Sequence, residues 1–121
     1  MFAAFAQSTM SHAAIHDENE WLIVSYIGAD QHILKVSRFT DHRKHRVAPP
    51  LREIVADGLT LGATSLVLAH NHPSGNAMPS RQDFEFTRLL VRLLHPIGIR
   101  VRDHIVMTQS SYFSFRAQGL L

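Results

Sequence analysis

The sequence predicts an α/β fold in which helices pack on a mixed β-sheet. Three observations indicate this class: a hairpin pattern around Gly28, a mostly apolar run at residues 64–69, and two amphipathic segments on either side of that run. An apolar run with little alternation is typical of a strand that is buried on both faces. With 121 residues and no internal repeat, the chain is long enough for one domain that buries about two-thirds of its unfolded surface.

The first half of the chain supplies a hairpin and a helix. Residues 22–27 and 32–39 are predicted to form antiparallel strands joined by a turn at residues 28–31. Residues 51–61 predict a helix that stops at Gly62. One face of this helix is expected to carry Leu51, Ile54, Val55 and Leu59.

A second helix is predicted at residues 80–95, and Pro96 ends it. When residues are placed about 100° apart, the polar stripe of this helix consists of Arg81, Glu85, Arg88 and Arg92. The apolar side consists of Phe84, Phe86, Leu90, Val91, Leu93 and Leu94. Three short strands are expected to follow, at residues 99–101, 104–108 and 112–115, and His104 would begin one of them in a structural role.

The segment His70-Asn71-His72-Pro73 follows the apolar run and contains two imidazoles two positions apart. In extended backbone such residues point to the same side, and Pro73 with the turn residues after it stops the strand. Asp83 falls on the apolar side of the second helix, where an unpaired carboxylate would be costly. A metal held by His70, His72 and Asp83 would have an open fourth position, which is the layout of a catalytic zinc site.

Simpler interpretations of these residues remain open at this point. The segment Ser80-Arg81-Gln82-Asp83 resembles a helix capping box in which Asp replaces the usual Glu or Gln. Ser80 can cap the helix and still present its hydroxyl to a site. A pair of histidines after a strand is also compatible with a polar loop. The conjunction of both histidines, the turn, the serine and an inward aspartate favours one common site.

The chain resembles bacterial RadC-like proteins of the JAB/MPN (JAMM) metallopeptidase family. The signature of that family is H-x-H-P, six residues, then S-x-x-D. This sequence contains it as His70, His72, Pro73, Ser80 and Asp83. The similarity extends over residues 66–75 and to Pro79-Ser80-Arg81, Gly98-Ile99 and Asp103-His104. The resemblance implies a deaminase-like α/β sandwich, with residues 18–121 forming the domain and residues 1–17 a tail or short helix.

The resemblance also implies a zinc-dependent metallopeptidase or isopeptidase-like hydrolase, in which a zinc-bound water attacks an amide carbonyl of a peptide or protein substrate. His70, His72 and Asp83 would bind Zn²⁺, and Ser80 would donate to the developing oxyanion. An upstream glutamate would act as general base and then acid. Alignment of the first strand and turn gives that role to Glu20, and a small register error would exchange it with Glu18.

Alternatively, the domain is a non-catalytic zinc-binding JAB/MPN module associated with DNA repair or mobile-element functions. Its partners would then be DNA-processing or mobile-element proteins. Full-length RadC proteins carry an N-terminal helix-hairpin-helix region, for which we expect no room in these 121 residues, so the resemblance does not extend to DNA binding. Residues 40–48 also match the family poorly. The run Arg43-Lys44-His45-Arg46 is a candidate contact for phosphates or an acidic partner, or a solvated loop. We expect direct nucleic-acid binding to be weak or absent.

Composition favours a cytoplasmic domain. There are no cysteines, which excludes disulfides and thiolate zinc ligands. The formal net charge is only +2, which does not predict a strongly basic surface. No apolar run approaches the about 20 residues that a membrane helix needs, and the apolar start of the chain lacks the basic residues of a signal peptide.

Overall fold

The computed structural model describes residues 18–40 and 50–121. The predicted tail at residues 1–17 and the basic run at 43–46 lie outside this part of the chain. The described ranges contain β1 Trp21–Ile27, β2 Ile33–Thr40, α1 Leu51–Leu61, β3 Ser65–Asn71, α2 Arg81–Leu94, a 3₁₀ turn His95–Ile97, β4 Arg100–Met107 and β5 Tyr112–Ser114. The predicted hairpin, both helices and the buried strand are therefore confirmed. Neither described helix combines the length and apolar character that a membrane crossing requires.

The strands form one mixed five-stranded sheet in the order β2-β1-β3-β4-β5. The central strand β3 pairs antiparallel with β1 and parallel with β4, while both outer pairs are antiparallel. Every residue of β3 is buried, as expected for a strand covered on both faces. The predicted mixed α/β architecture is confirmed.

Both helices pack on the same face of the sheet. Because side chains alternate along a strand, this face is built from every second residue of β1 and β3. The helices complete the core through Ile54 of α1 and Leu90 and Leu94 of α2, all fully buried. The strand residues of this core are Leu22, Val24, Tyr26, Leu66 and Leu68. A smaller cluster on the opposite face contains Ile23, Ala69, Ile105 and Met107.

The helix ends follow local chemistry. Gly62 ends α1 in the left-handed conformation, with φ at 68°, where a side chain would be strained. Ser80 caps the start of α2. The fully buried positions of α2 form a narrow stripe of Thr87, Leu90 and Leu94. This stripe is narrower than the predicted apolar side of the helix, so Leu93 is 42% exposed. Leu59 of α1 is likewise 55% exposed, although it belongs to the apolar face of that helix.

The prediction of separate strands at 99–101 and 104–108 is also wrong, because β4 runs without a break from Arg100 to Met107. Leu66 pairs with Val101 whereas Val67 pairs with Asp103, so Arg102 is an extra residue in β4. This bulge shifts the alternation of side chains by one. Val101 and residue 104 consequently both face the helices. His104 lies in the middle of this strand and not at its start.

We expect Leu90→Ala to lower the free energy of unfolding by about 2–5 kcal/mol, because the buried side chain leaves a cavity. Leu89→Ala is the matched control, since the neighbouring leucine is 41% exposed and its loss should cost less than about 1 kcal/mol. Urea denaturation of both variants measures the difference. Equal losses would contradict the assigned packing face of α2.

Candidate metal centre

The two histidines of the motif lie at the carboxyl end of the central strand. His70 occupies β3 between Leu22 of β1 and Val106 of β4. The ladder with β4 continues one residue past the strand, where the His72 N–H donates to the Met107 carbonyl at 2.9 Å. The His70 side chain is 2% exposed and that of His72 is 10% exposed. Both rings are thus held on rigid, hydrogen-bonded backbone.

Asp83 reaches the histidines from the first turn of α2. The Ser80 hydroxyl accepts from the Asp83 N–H at 3.1 Å, and the Ser80 N–H donates to Asp83 Oδ2 at 2.8 Å. The predicted capping box is therefore present. The same Oδ2 atom lies 3.1 Å from His72 Nε2 and 3.4 Å from His70 Nε2. One carboxylate therefore caps the start of α2 and also lies beside both histidines.

The chemistry of these donor atoms fits a metal ion. His72 Nδ1 lies 2.9 Å from the Asn76 carbonyl, which can only accept, so the neutral His72 ring turns a bare Nε2 towards the site. The two Nε2 atoms are 2.9 Å apart. Zinc bonds of about 2.0–2.1 Å in a tetrahedron place ligand atoms about 3.3 Å apart. His70, His72 and Asp83 form a group that can hold a metal.

The pKa values of these groups reflect their proximity. Burial alone raises the pKa of the Asp83 carboxyl, but the hydrogen bonds that His70 and His72 donate when their Nε2 atoms carry a proton outweigh burial and hold that pKa well below its usual range. Burial alone lowers the pKa of His72, but the protonated ring donates to both Asp83 and the Asn76 carbonyl, and these bonds raise its pKa above the ordinary value. The carboxylate is therefore charged across the whole range in which imidazoles titrate.

Glu20 lies beside this group. Its Oε1 atom is 3.8 Å from His72 Nε2, whereas Glu18 is exposed. The backbone on either side of Glu20 is fixed by the buried Asn71 side chain, which accepts from the Trp21 N–H at 2.6 Å and donates to the Asn19 carbonyl at 3.0 Å. The Thr40 hydroxyl donates to the Glu20 carbonyl at 2.7 Å. The ends of β2 and β3, which flank β1, thus hold the backbone of Glu20 beside the site.

A cavity of about 270 Å³ opens on the group and is lined by Glu20, His72 and Ser80, among others. The Ser80 oxygen accepts the capping bond, which leaves the hydroxyl proton available as a donor. The exposed Met78 supplies an apolar wall. A substrate in this cavity would contact a carboxylate, a hydroxyl donor and the edge of the metal-binding group.

The sequence patterns did not identify the residues that support this group from behind. His70 Nδ1 lies 2.7 Å from His104 Nε2, and His104 Nδ1 lies 2.6 Å from Thr87 Oγ1. The Phe115 ring stacks on His104 with centroids 4.7 Å apart. Complete burial holds the pKa of His104 well below its ordinary value. One signal was available: Thr87 lies four residues after Asp83, hence on the same side of α2.

Comparison with known proteins agrees with this arrangement. A profile of the RadC-like JAB domain family matches residues 2–120. The chain belongs to this family. A UPF0758 protein of Symbiobacterium thermophilum is 50% identical over 70 residues, which cover 58% of this chain and 30% of that protein. The chain therefore spans less than a third of the length of this curated relative. The resemblance inferred from the motif is confirmed, and the match extends over nearly the whole of this chain.

We expect the zinc affinity of the RadC-like domain to fall on acidification. Only unprotonated imidazole nitrogens bind metal, and the raised pKa of His72 means that protons begin to compete above the ordinary imidazole range. Each histidine ligand that must lose a proton before it binds zinc should lower the affinity about tenfold for each pH unit of acidification. Asp83 stays ionised over this range and adds nothing to the slope. Chelator competition between pH 8 and pH 4 measures the slope. Full zinc retention at about pH 4, far below the reference pKa, would contradict the ligand assignment.

We expect Asn71→Leu to destabilise the RadC-like domain by about 1–3 kcal/mol, because two buried hydrogen bonds to the Glu20 segment are lost. Its zinc stoichiometry should stay at the wild-type value, since the leucine removes no ligand atom. Thr40→Val removes a single bond to the same segment and should cost less. Thermal unfolding with zinc analysis measures both variants. Wild-type stability of Asn71→Leu would show that the Glu20 segment is held by other contacts.

Proposed function

We propose that this RadC-like domain is a zinc-dependent hydrolase of the metallopeptidase or isopeptidase type, acting on a peptide or protein substrate. One observation carries the proposal: the Glu20 carboxylate and the Ser80 hydroxyl line the same cavity as His72, at the edge of the group that can hold a metal. A purely structural metal site would have no use for an open, polar cavity beside its ligands.

Zinc is the metal that the donor set favours. His70 Nε2, His72 Nε2 and Asp83 Oδ2 would hold it, and two imidazoles with one carboxylate are a known ligand set for catalytic zinc. When bound, zinc supplies Lewis acidity and lowers the pKa of a coordinated water towards about 7. The rest of the chemistry belongs to side chains of this chain.

Glu20 would act as the general base and then as the general acid. Its Oε1 atom lies 3.8 Å from His72 Nε2, and from there it would take a proton from the attacking water and pass it to the leaving amine. Ser80 would donate a hydrogen bond from its hydroxyl group to the oxyanion that develops on the scissile carbonyl. The family supports an amide as the reacting group, because metalloisopeptidases belong to the JAB/MPN family.

We expect Glu20→Gln to abolish hydrolysis while zinc remains bound. Loss of a general base lowers turnover by about 10²–10⁴-fold, and glutamine keeps the size of the side chain. Digestion of a peptide library by the zinc-loaded protein, read by mass spectrometry, measures turnover. Glu18→Gln is the matched control, because Glu18 is exposed two residues away and its variant should cleave like the wild type.

Two outcomes would overturn the proposal at different levels. A purified protein that binds no zinc near one equivalent would remove the metal site itself. A zinc-loaded wild type that cleaves neither peptides nor isopeptide-linked proteins would favour the non-catalytic zinc-binding module with DNA-repair or mobile-element partners. Cleavage that persists in Glu20→Gln would support the hydrolase activity and show that Glu20 is not the general base.

A further inference from the structure

A buried chain of hydrogen bonds runs from His70 to the backbone of α2. His70 Nδ1 lies 2.7 Å from His104 Nε2, and His104 Nδ1 lies 2.6 Å from Thr87 Oγ1. The Thr87 hydroxyl in turn lies 2.8 Å from the Asp83 carbonyl. His70, His104 and Thr87 are 2%, 1% and 1% exposed, so water does not compete for these bonds.

The Asp83 carbonyl, at the end of this series of hydrogen bonds, determines the direction of every bond in the series. A carbonyl can only accept, so the single hydroxyl proton of Thr87 points at Asp83 and Thr87 Oγ1 accepts from His104 Nδ1. A neutral imidazole has one N–H, so His104 Nε2 is an acceptor and His70 Nδ1 is the donor. His70 Nε2 then carries a bare lone pair, and it faces His72 Nε2 and Asp83 Oδ2.

We propose that Thr87 and His104 are positioning residues that fix the tautomer of His70, so that the nitrogen facing the metal site is unprotonated. This inference rests on the metal-binding part of the proposed function. It assigns a role to a pair of side chains that touch neither substrate nor metal. Hydrogen-bonding partners of metal ligands in other proteins typically contribute 10–100-fold to metal affinity.

The role of Thr87 becomes clear when the donor and the acceptor of each hydrogen bond in the series are exchanged. If Thr87 donated to His104 Nδ1, then His104 Nε2 would donate to His70, and the proton of His70 would move to Nε2 and block metal binding. Thr87 Oγ1 and the Asp83 carbonyl oxygen would then lie 2.8 Å apart with no proton between them. Two facing acceptors repel each other, which favours the direction that leaves His70 Nε2 bare. Because His70 Nε2, His72 Nε2 and Asp83 Oδ2 are then also facing acceptors, a metal ion held among them favours the same direction.

The second histidine of the site provides an internal contrast. His72 Nδ1 bonds directly to the Asn76 carbonyl, so its tautomer is fixed in one step by a group that can only accept. His70 is bonded to another imidazole, which can donate or accept. A third group must therefore decide the direction. Thr87 does so through Asp83, the residue whose side chain provides the third ligand atom.

The first test compares Thr87→Val with Thr87→Ser. Valine has nearly the shape of threonine but offers no acceptor to His104, so we expect zinc affinity to fall about 10–100-fold. Serine keeps the hydroxyl and should retain nearly wild-type affinity, which a role in packing alone would not produce. Chelator competition measures both variants. Unchanged zinc affinity in Thr87→Val would overturn the proposal.

The second test reads the tautomers directly and needs neither a variant nor bound metal. Long-range ¹H–¹⁵N spectra of the metal-free and zinc-loaded wild type, recorded at about pH 8 where ordinary imidazoles are neutral, separate protonated from bare ring nitrogens. We expect His104 and His70 both to carry the proton on Nδ1. A proton on Nε2 of either ring would overturn the proposal. The expected tautomers in a protein that binds no zinc would support the hydrogen-bond chain and overturn the proposed function alone.

Discussion

The arrangement of the molecule depends on a single carboxylate oxygen, Asp83 Oδ2. It accepts the Ser80 N–H that starts α2 and it lies within 3.4 Å of both histidines at the end of β3. The dipole of α2 also stabilises the negative charge of Asp83, because the carboxylate lies at the N-terminal end of the helix. Because Leu90 and Leu94 fix α2 on the sheet, the carboxylate has one position relative to the strand. The fold and the site are therefore specified by the same contacts.

The site is supported from two independent directions. The metal-binding group is held by β3 and α2, with His104 of β4 behind it. Glu20 is held instead by Asn71 and Thr40 around the start of β1. Asn71 lies between the two histidines in sequence, yet its side chain turns to the opposite side of the strand. Adjacent residues of one strand thus contribute His70 to the group that can hold a metal on one side and fix the backbone around Glu20 on the other.

Much of this could be predicted from the sequence, for identifiable reasons. The end of α1 follows from Gly62, and the inward direction of Asp83 follows from helical period, both of which are local properties. The role proposed for Glu20 came from family resemblance, since nothing local separates it from Glu18. The partnership of His70, His104 and Thr87 joins three elements and leaves no local pattern. The exposure of Leu59 and Leu93 could not be predicted, because periodicity gives the direction of an apolar face but not the width of its contact with the sheet.

The extra residue in β4 determines where this strand can change its length. Two positions, Arg102 and Asp103, lie between Val101 and His104, which both face the helices, whereas a regular strand would have one. Loss of Arg102 would leave Val101, Asp103 and His104 opposite the same three residues of β3, so no side chain would change face. Loss of a residue beyond His104 would instead shift the alternation and turn one end of the strand over. The bulge is therefore the place within β4 where a deletion leaves both faces of the sheet unchanged.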